Sequence, residues 1–204
     1  MKVQDPHRIL FAKAKKKAKG LRVFLDMDAV VTFWEKGAAE TCGVDYEDPE
    51  IREALKKGDK IEDFCGGEPA MWKKIDAEGE EWWENLEKLP WTDRLIEELK
   101  KRGDEFAFLT SPSSNPVCAA GKIKWLSKNV EKDFADFLIG RNKHLCAGPN
   151  TLLVDDSEKK IKKFREYGGH AFLWPHPLEL IDEDVDLEET LKDLFDYIKE
   201  IKGD

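Results

Sequence analysis

Acidic and hydroxyl side chains recur in this sequence at the ends of short apolar runs. Asp26 and Asp28 follow LRVFL (21–25), Thr110 and Ser111 follow the apolar part of EFAFLT (105–110), and Asp155 and Asp156 end TLLVDD (151–156). Two carboxylates one residue apart repel, so each resists ionisation unless a cation or a shared proton offsets the other. A second, adjacent pair makes the crowding untenable without a metal. Hard oxygen donors in this number suit Mg²⁺, which keeps several waters and accepts phosphate oxygens as partners. Any one pair could be an ordinary turn or helix-cap feature. Three such ends coinciding argue for a site.

The elements that must position these residues read as alternating strands and helices. Asp5-Pro6 can open a helix, with Asp as N-cap and Pro at its first position. After Gly20, LRVFL is a buried-strand run, followed by EFAFLT, DFLIG (136–140), TLLVDD and HAFLW (170–174). Thr92 is the expected N-cap of DRLIEELKKRG, with Leu95, Ile96 and Leu99 on one face. Residues 119–130 should form a helix with Ile123, Leu126 and Val130 inward. Ser157 should cap EKKIKKFREYG, where Ile161, Phe164 and Tyr167 share helical spacing. The acidic stretch 186–201 spaces Leu187, Leu191, Leu194, Ile198 and Ile201 as an amphipathic helix. Residues 33–89 show mixed charge, glycine breaks and no β alternation, the pattern of a small helical insertion. The fold class is therefore α/β, a parallel sheet flanked by helices with an insertion after the first strand. Ligands of such sheets bind outside the carboxyl ends of the strands, where the acidic and hydroxyl groups fall.

The same residues carry a resemblance. FLDMDAVVTF, FAFLTSP, Lys143 and LLVDD resemble the four motifs of the haloacid dehalogenase superfamily, mostly Mg²⁺-dependent phosphohydrolases with a Rossmann-like core. DMDAVV, LTSP, Arg141-Asn142-Lys143, LLVDD and WENLEKLPW are similar to the corresponding segments of the 5′(3′)-deoxyribonucleotidases, although Ala29 stands for a common Gly and Asn142 for a common Asp. The resemblance implies a core of residues 1–32 and 91–204 and a cap of 33–90. It implies that Asp26 is the nucleophile, that Asp28 protonates the leaving alkoxide and later activates water, and that Asp26, the backbone carbonyl of Asp28 and Asp156 hold Mg²⁺. Asp155 would bind in the outer shell or orient Lys143. Thr110 and Lys143 would hold and neutralise the phosphoryl oxygens, with Ser111 and Arg141 beside the substrate. Trp34 and Trp83 match aromatics of the family's nucleobase pocket, against the alternative that both are core packing. Lys122 and Lys124 compete with Lys143 as the catalytic cation, against the alternative of a solvated helix face. His144 and His176 take no named role.

Composition bounds the rest. The chain has 204 residues, 34 basic against 43 acidic, 41% hydrophobic, with 11 Phe and 7 Trp to build one core. No apolar run approaches the roughly 18 residues of a membrane span. The opening MKVQDPHRILFAKAKKK lacks the pattern of a signal peptide, and four cysteines without a CxxC pair point to reduced thiols, so a cytoplasmic location is expected. A formal charge of −9 disfavours a nucleic-acid coat without excluding nucleic acid, since KAKKKAK (13–19) could attract phosphate. The function expected is Mg²⁺-dependent hydrolysis of nucleoside or deoxynucleoside monophosphates through an aspartyl-phosphate. The alternatives are a phosphatase of polynucleotide ends or small metabolites, and a non-catalytic phosphate-binding module.

Overall fold

The computed structural model describes residues 20–203. The helix start at Asp5-Pro6 and the basic run 13–19 lie outside them. Five strands, β1 (Arg22–Leu25), β2 (Glu105–Thr110), β3 (Phe137–Ile139), β4 (Thr151–Asp155) and β5 (His170–Leu173), form one parallel sheet in the order β3-β2-β1-β4-β5. The central strands are apolar on both sides because both faces are covered. Val23, Leu25, Phe108, Leu152 and Val154 join the main core, together with Leu95 and Leu99 of α6 (Thr92–Arg102), Trp125 and Leu126 of α7 (Pro116–Asn129), and Leu191, Leu194 and Ile198 of α10 (Leu187–Lys202). Phe24, Leu109 and Leu153 face the other way, onto Ile161 and Phe164 of α8 (Glu158–Glu166).

Register then fixes the chemistry. Leu25 pairs with Phe108 on one side and Val154 on the other, so the residues that follow Leu25 and Val154, Asp26 and Asp155, emerge side by side at the sheet's carboxyl edge. Asp26 N–H donates to the Val154 carbonyl at 3.0 Å, which holds the chain in line past the strand end.

Between β1 and α6 the chain forms α1 (Trp34–Cys42), α2 (Pro49–Lys56), α3 (Ile61–Phe64), α4 (Glu68–Glu78) and α5 (Glu80–Glu84). Their buried side chains, among them Ala38, Leu55, Met71, Ile75 and Trp83, belong to the same continuous cluster as the sheet. Trp91 Nε1 donates to the Val30 carbonyl and Trp125 Nε1 to the Leu86 carbonyl, both at 2.8 Å, fastening the two ends of this segment to the core.

Local expectations fail in four places. Thr92 is the first helical residue rather than the N-cap, because its hydroxyl donates to the Val31 carbonyl instead. Helix α7 begins three residues earlier than expected, since Asn115 accepts from Val117 N–H and Pro116 occupies the first position. At α8 the capping oxygen comes from Asp155, which accepts from Ser157 N–H, while the Ser157 side chain makes no cap bond. Tyr167 sits past the end of α8, 56% exposed, with its ring edge-on to His144. A short α9 (Pro177–Ile181), capped by His176, was not foreseen. No helix of the described residues is long and apolar enough to cross a membrane, and all four cysteines are unpaired.

Candidate active site

At the end of β1 the backbone reverses at once. Val30, Val31 and Thr32 all donate their N–H to the Met27 carbonyl, and Ala29 adopts φ 59°. That left-handed conformation is one that glycine takes without strain and alanine only at a cost, so the turn holds Ala29 against its own preference. The tight turn places the Asp26 and Asp28 side chains on the same end of the sheet. Asp26 is 1% exposed, and its Oδ1 accepts from Met27 N–H at 2.8 Å.

Three lysines converge on these carboxylates. Lys143, on a single 3₁₀ turn (Lys143–Cys146) after β3, places Nζ 2.7 Å from Asp26 Oδ2 and 2.6 Å from Asp155 Oδ2. Lys160 of α8 reaches Asp26 Oδ2 at 3.3 Å and Asp155 Oδ1 at 3.7 Å. Lys122 of α7, 1% exposed, donates to Asp28 Oδ2 at 2.5 Å, Thr110 Oγ1 at 2.9 Å and the Ser111 carbonyl at 3.0 Å. The expectation of a solvated face is thus wrong for Lys122. It holds for Lys124, which is exposed and pairs with Glu80 and Glu84.

One oxygen each of Asp26, Asp155 and Asp156 lies within 4.8 Å of the others. Burial and the neighbouring carboxylates push Asp155 up, and push Asp156 up to about 8. Asp26 is likewise buried, yet Lys143, Lys160 and Lys122 together hold it well below the usual carboxylate range. The strain therefore concentrates on Asp156, which has no lysine of its own at contact distance among the described residues. A hard divalent cation would relieve it, so the donor set fits Mg²⁺. The side chain of Asp28 points instead to Lys122, leaving it outside this trio.

The cluster opens into a cleft of about 460 Å³ lined by Asp28, Trp34, Trp72, Trp83, Ser111, Arg141, Asp156 and Lys160, with Glu35 and Glu68 on its insertion side. A larger groove of about 660 Å³, lined by Arg22, Glu105, Asp136 and Leu138 among others, lies toward the strands' opposite ends, away from every group named above. The residues to which the sequence assigned a role in the site gather here, with the exception of the rival Lys124: Asp26, Asp28, Thr110, Ser111, Arg141, Lys143, Asp155 and Asp156, with Trp34 and Trp83 in the same cleft wall. Trp34 is half-buried, whereas Trp83 is 2% exposed and stacks beneath Trp72, ring centroids 6.3 Å apart at 18°. Trp82 turns away to donate to Thr41, as adjacent helical residues must diverge.

Two residues, Lys160 and Trp72, escaped the sequence reading, and a third, His176, was given no role there. Lys160 lies four residues beyond Asp156 on the helix that β4 feeds, so its position at a strand-to-helix junction was a usable signal. Trp72 sits one turn after Glu68 and donates to it at 3.3 Å. His176 Nε2 lies 2.8 Å from Glu35 Oε2 and so ties the segment after β5 to α1, a pairing no local pattern announces.

A family model described as 5′ nucleotidase, deoxy (pyrimidine), cytosolic type C protein matches residues 20–198. No curated protein sequence matches the chain. Among solved structures, it is similar to a predicted phosphatase from Clostridium acetobutylicum, with TM-score 0.53 and 12% identity over 90% of this chain and 100% of that one. It is also similar to a hydrolase from Streptococcus pneumoniae TIGR4, with TM-score 0.50 and 13% identity over 82% of this chain and 100% of that one. At such identities these structures speak to the fold alone.

Proposed function

The chain belongs to the 5′ nucleotidase, deoxy (pyrimidine), cytosolic type C family of haloacid dehalogenase-type phosphatases, phosphoric monoester hydrolases, and from that premise we propose that it hydrolyses nucleoside or deoxynucleoside monophosphates in a Mg²⁺-dependent reaction. The observation that carries the substrate class is the cleft itself. It sets the rings of Trp34 and Trp72 opposite the carboxylates and lysines in one space, with centroids 6.0 Å apart. A phosphoryl group at the charged end leaves the rest of a nucleotide beside aromatic surface.

In this reading Asp26 attacks phosphorus. Its carboxylate is kept ionised by the lysines, and its Oδ1 is held by Met27 N–H, so it enters as an oriented nucleophile. The ester P–O bond breaks as the Asp26–phosphorus bond forms, and Asp28, entering this step in its protonated form, gives that proton to the departing alkoxide. Asp28 then takes a proton from the water that attacks the aspartyl-phosphate, releasing phosphate and restoring Asp26. Thr110 and Lys143 would hold and neutralise the phosphoryl oxygens, with Lys122 bonded to Thr110 and Asp28 and keeping both in place, while Asp155 fixes Lys143 against Asp26. Asp26 and Asp156, with the Asp28 carbonyl, would hold Mg²⁺, which supplies charge neutralisation for a phosphoryl dianion approaching anionic side chains. Residues 33–90 act as the cap over the remaining core, excluding water and contacting the leaving nucleoside through Trp34, Trp72 and the edge of Trp83.

The experiment compares Trp34→Ala with wild type on a deoxynucleoside monophosphate and on a small aryl phosphate, with a thermal melt alongside. Stacking of a base is worth about 1–3 kcal/mol, so kcat/KM for the nucleotide should fall roughly 5- to 150-fold while the aryl ester is spared. An equal loss on both substrates with a large fall in Tm would show Trp34 to be core packing and remove the nucleotide assignment.

A further inference from the structure

Four carboxylates, Asp26, Asp28, Asp155 and Asp156, meet three ammonium groups at the sheet edge. Two of the lysines are locked in place. Lys143 and Lys122 are 2% and 1% exposed, and each bonds a carboxylate at 2.6 Å or closer. Lys160 differs in every respect. Its side chain is 33% exposed, its contacts to Asp26 and Asp155 are the longer ones at 3.3 and 3.7 Å, and it lines the open cleft. It also enters from the side of Asp156, four residues away on α8, and both of the carboxylates it touches belong to the trio that could hold a metal. A divalent ion held by Asp26 and Asp156 would therefore meet the ammonium of Lys160 at the Asp26 carboxylate, with Asp155 beside both.

We propose that Lys160 is a resident counter-cation of the carboxylate trio that competes with the divalent ion, so that metal entry requires the Lys160 side chain to swing into the cleft. The proposal rests on the metal assignment above. The geometry supports it: Lys160 contacts two carboxylates of the trio, and its partly exposed side chain has the open cleft to swing into. Lys160 is thus placed to hold the trio together before metal binds and to face the substrate's phosphoryl oxygens afterwards. A lysine with a packing role alone would be buried and closely bonded rather than set at the wall of the cleft.

The test is titration of Mg²⁺ into substrate-free protein by calorimetry, for wild type, Lys160→Gln, Lys160→Met, Lys160→Arg and Asp156→Asn. Removing the competing charge should tighten Mg²⁺ binding by about tenfold or more in the Gln and Met variants, because two cations cannot crowd one carboxylate at low cost. Lys160→Arg, which keeps the charge, should bind within about threefold of wild type. In chelator the Gln and Met variants should melt below wild type and gain more from added Mg²⁺. Should either neutral variant fold only when Mg²⁺ is supplied, that too supports the role, whereas misfolding that Mg²⁺ does not rescue contradicts it. Unchanged or weaker Mg²⁺ binding in the neutral variants overturns the proposal. Asp156→Asn separates this from failure of the metal site: it should abolish Mg²⁺ binding, and a wild-type affinity there would sink the metal assignment itself.

Discussion

At the scale of single residues, the site divides its carboxylates by partner. Asp26 carries the lysine pair that keeps it anionic and aimed, and Asp28 is held 2.5 Å from Lys122 beside Thr110, away from the metal trio. That separation gives each Asp its own task and makes the tasks separable. Asp28→Asn should reduce turnover of a nucleoside monophosphate by about 10²-fold or more, the usual worth of a positioned acid. It should cost far less on an aryl phosphate with an activated leaving group, which departs without a proton. Equal losses on the two esters, measured as kcat, would contradict the acid role. The carboxylates and hydroxyls of the candidate site were legible because they fall at strand ends, where few structural demands compete for the position. Trp72 was not, because a tryptophan one turn into a helix looks the same whether it faces solvent, core or cleft, and Lys160 was passed over although its place just beyond the end of β4 was a usable signal.

At the scale of elements, apolar runs placed all five strands, with ends shifted by a residue, since burial on both faces leaves a signature no other element shares here. Helix starts were less legible. Thr92 spends its hydroxyl on Val31 and Asp155 caps α8 from within the site, and both choices are made by tertiary partners rather than by local sequence. The packing of α5 on α7 shows how tightly elements set the cleft. A Cβ on Gly121 would stand 2.4 Å from Trp83 Cβ and 2.5 Å from the Glu80 carbonyl, so α7 can approach α5 only with a glycine there. Gly121→Ala should therefore destabilise by about 1–3 kcal/mol. At roughly 2–4 °C per kcal/mol for a chain of this size, a melting curve resolves that readily. Displacing Trp83 should also impair nucleotide turnover beyond the loss of folded protein. An unchanged Tm would show the approach to be looser than described.

At the scale of the molecule, the insertion and the core behave as one packed body, and the Glu35–His176 pair joins them beside the cleft. Burial lowers the proton affinity of His176, but the hydrogen bond and charge of Glu35, with Glu179 and Asp156 nearby, outweigh it and raise the imidazole above its ordinary value. A group whose folded value is raised binds its proton more tightly folded than unfolded. Its stabilisation is complete below about pH 6.5 and fades as pH rises through the raised value. Glu35→Gln should accordingly lower Tm relative to wild type at pH 6, and the difference should shrink by pH 9. A difference that stays constant across that range would mean the pair contributes nothing through charge. The account as a whole stands on Asp26 as the nucleophile of a nucleotide phosphatase. The measurement that tests it most directly is phosphate release from a deoxynucleoside monophosphate in Mg²⁺, by wild-type protein and by Asp26→Asn, side by side. Steady turnover by wild type and none above background by a folded Asp26→Asn variant is the predicted result. Comparable turnover by both proteins, or none by either, would contradict it.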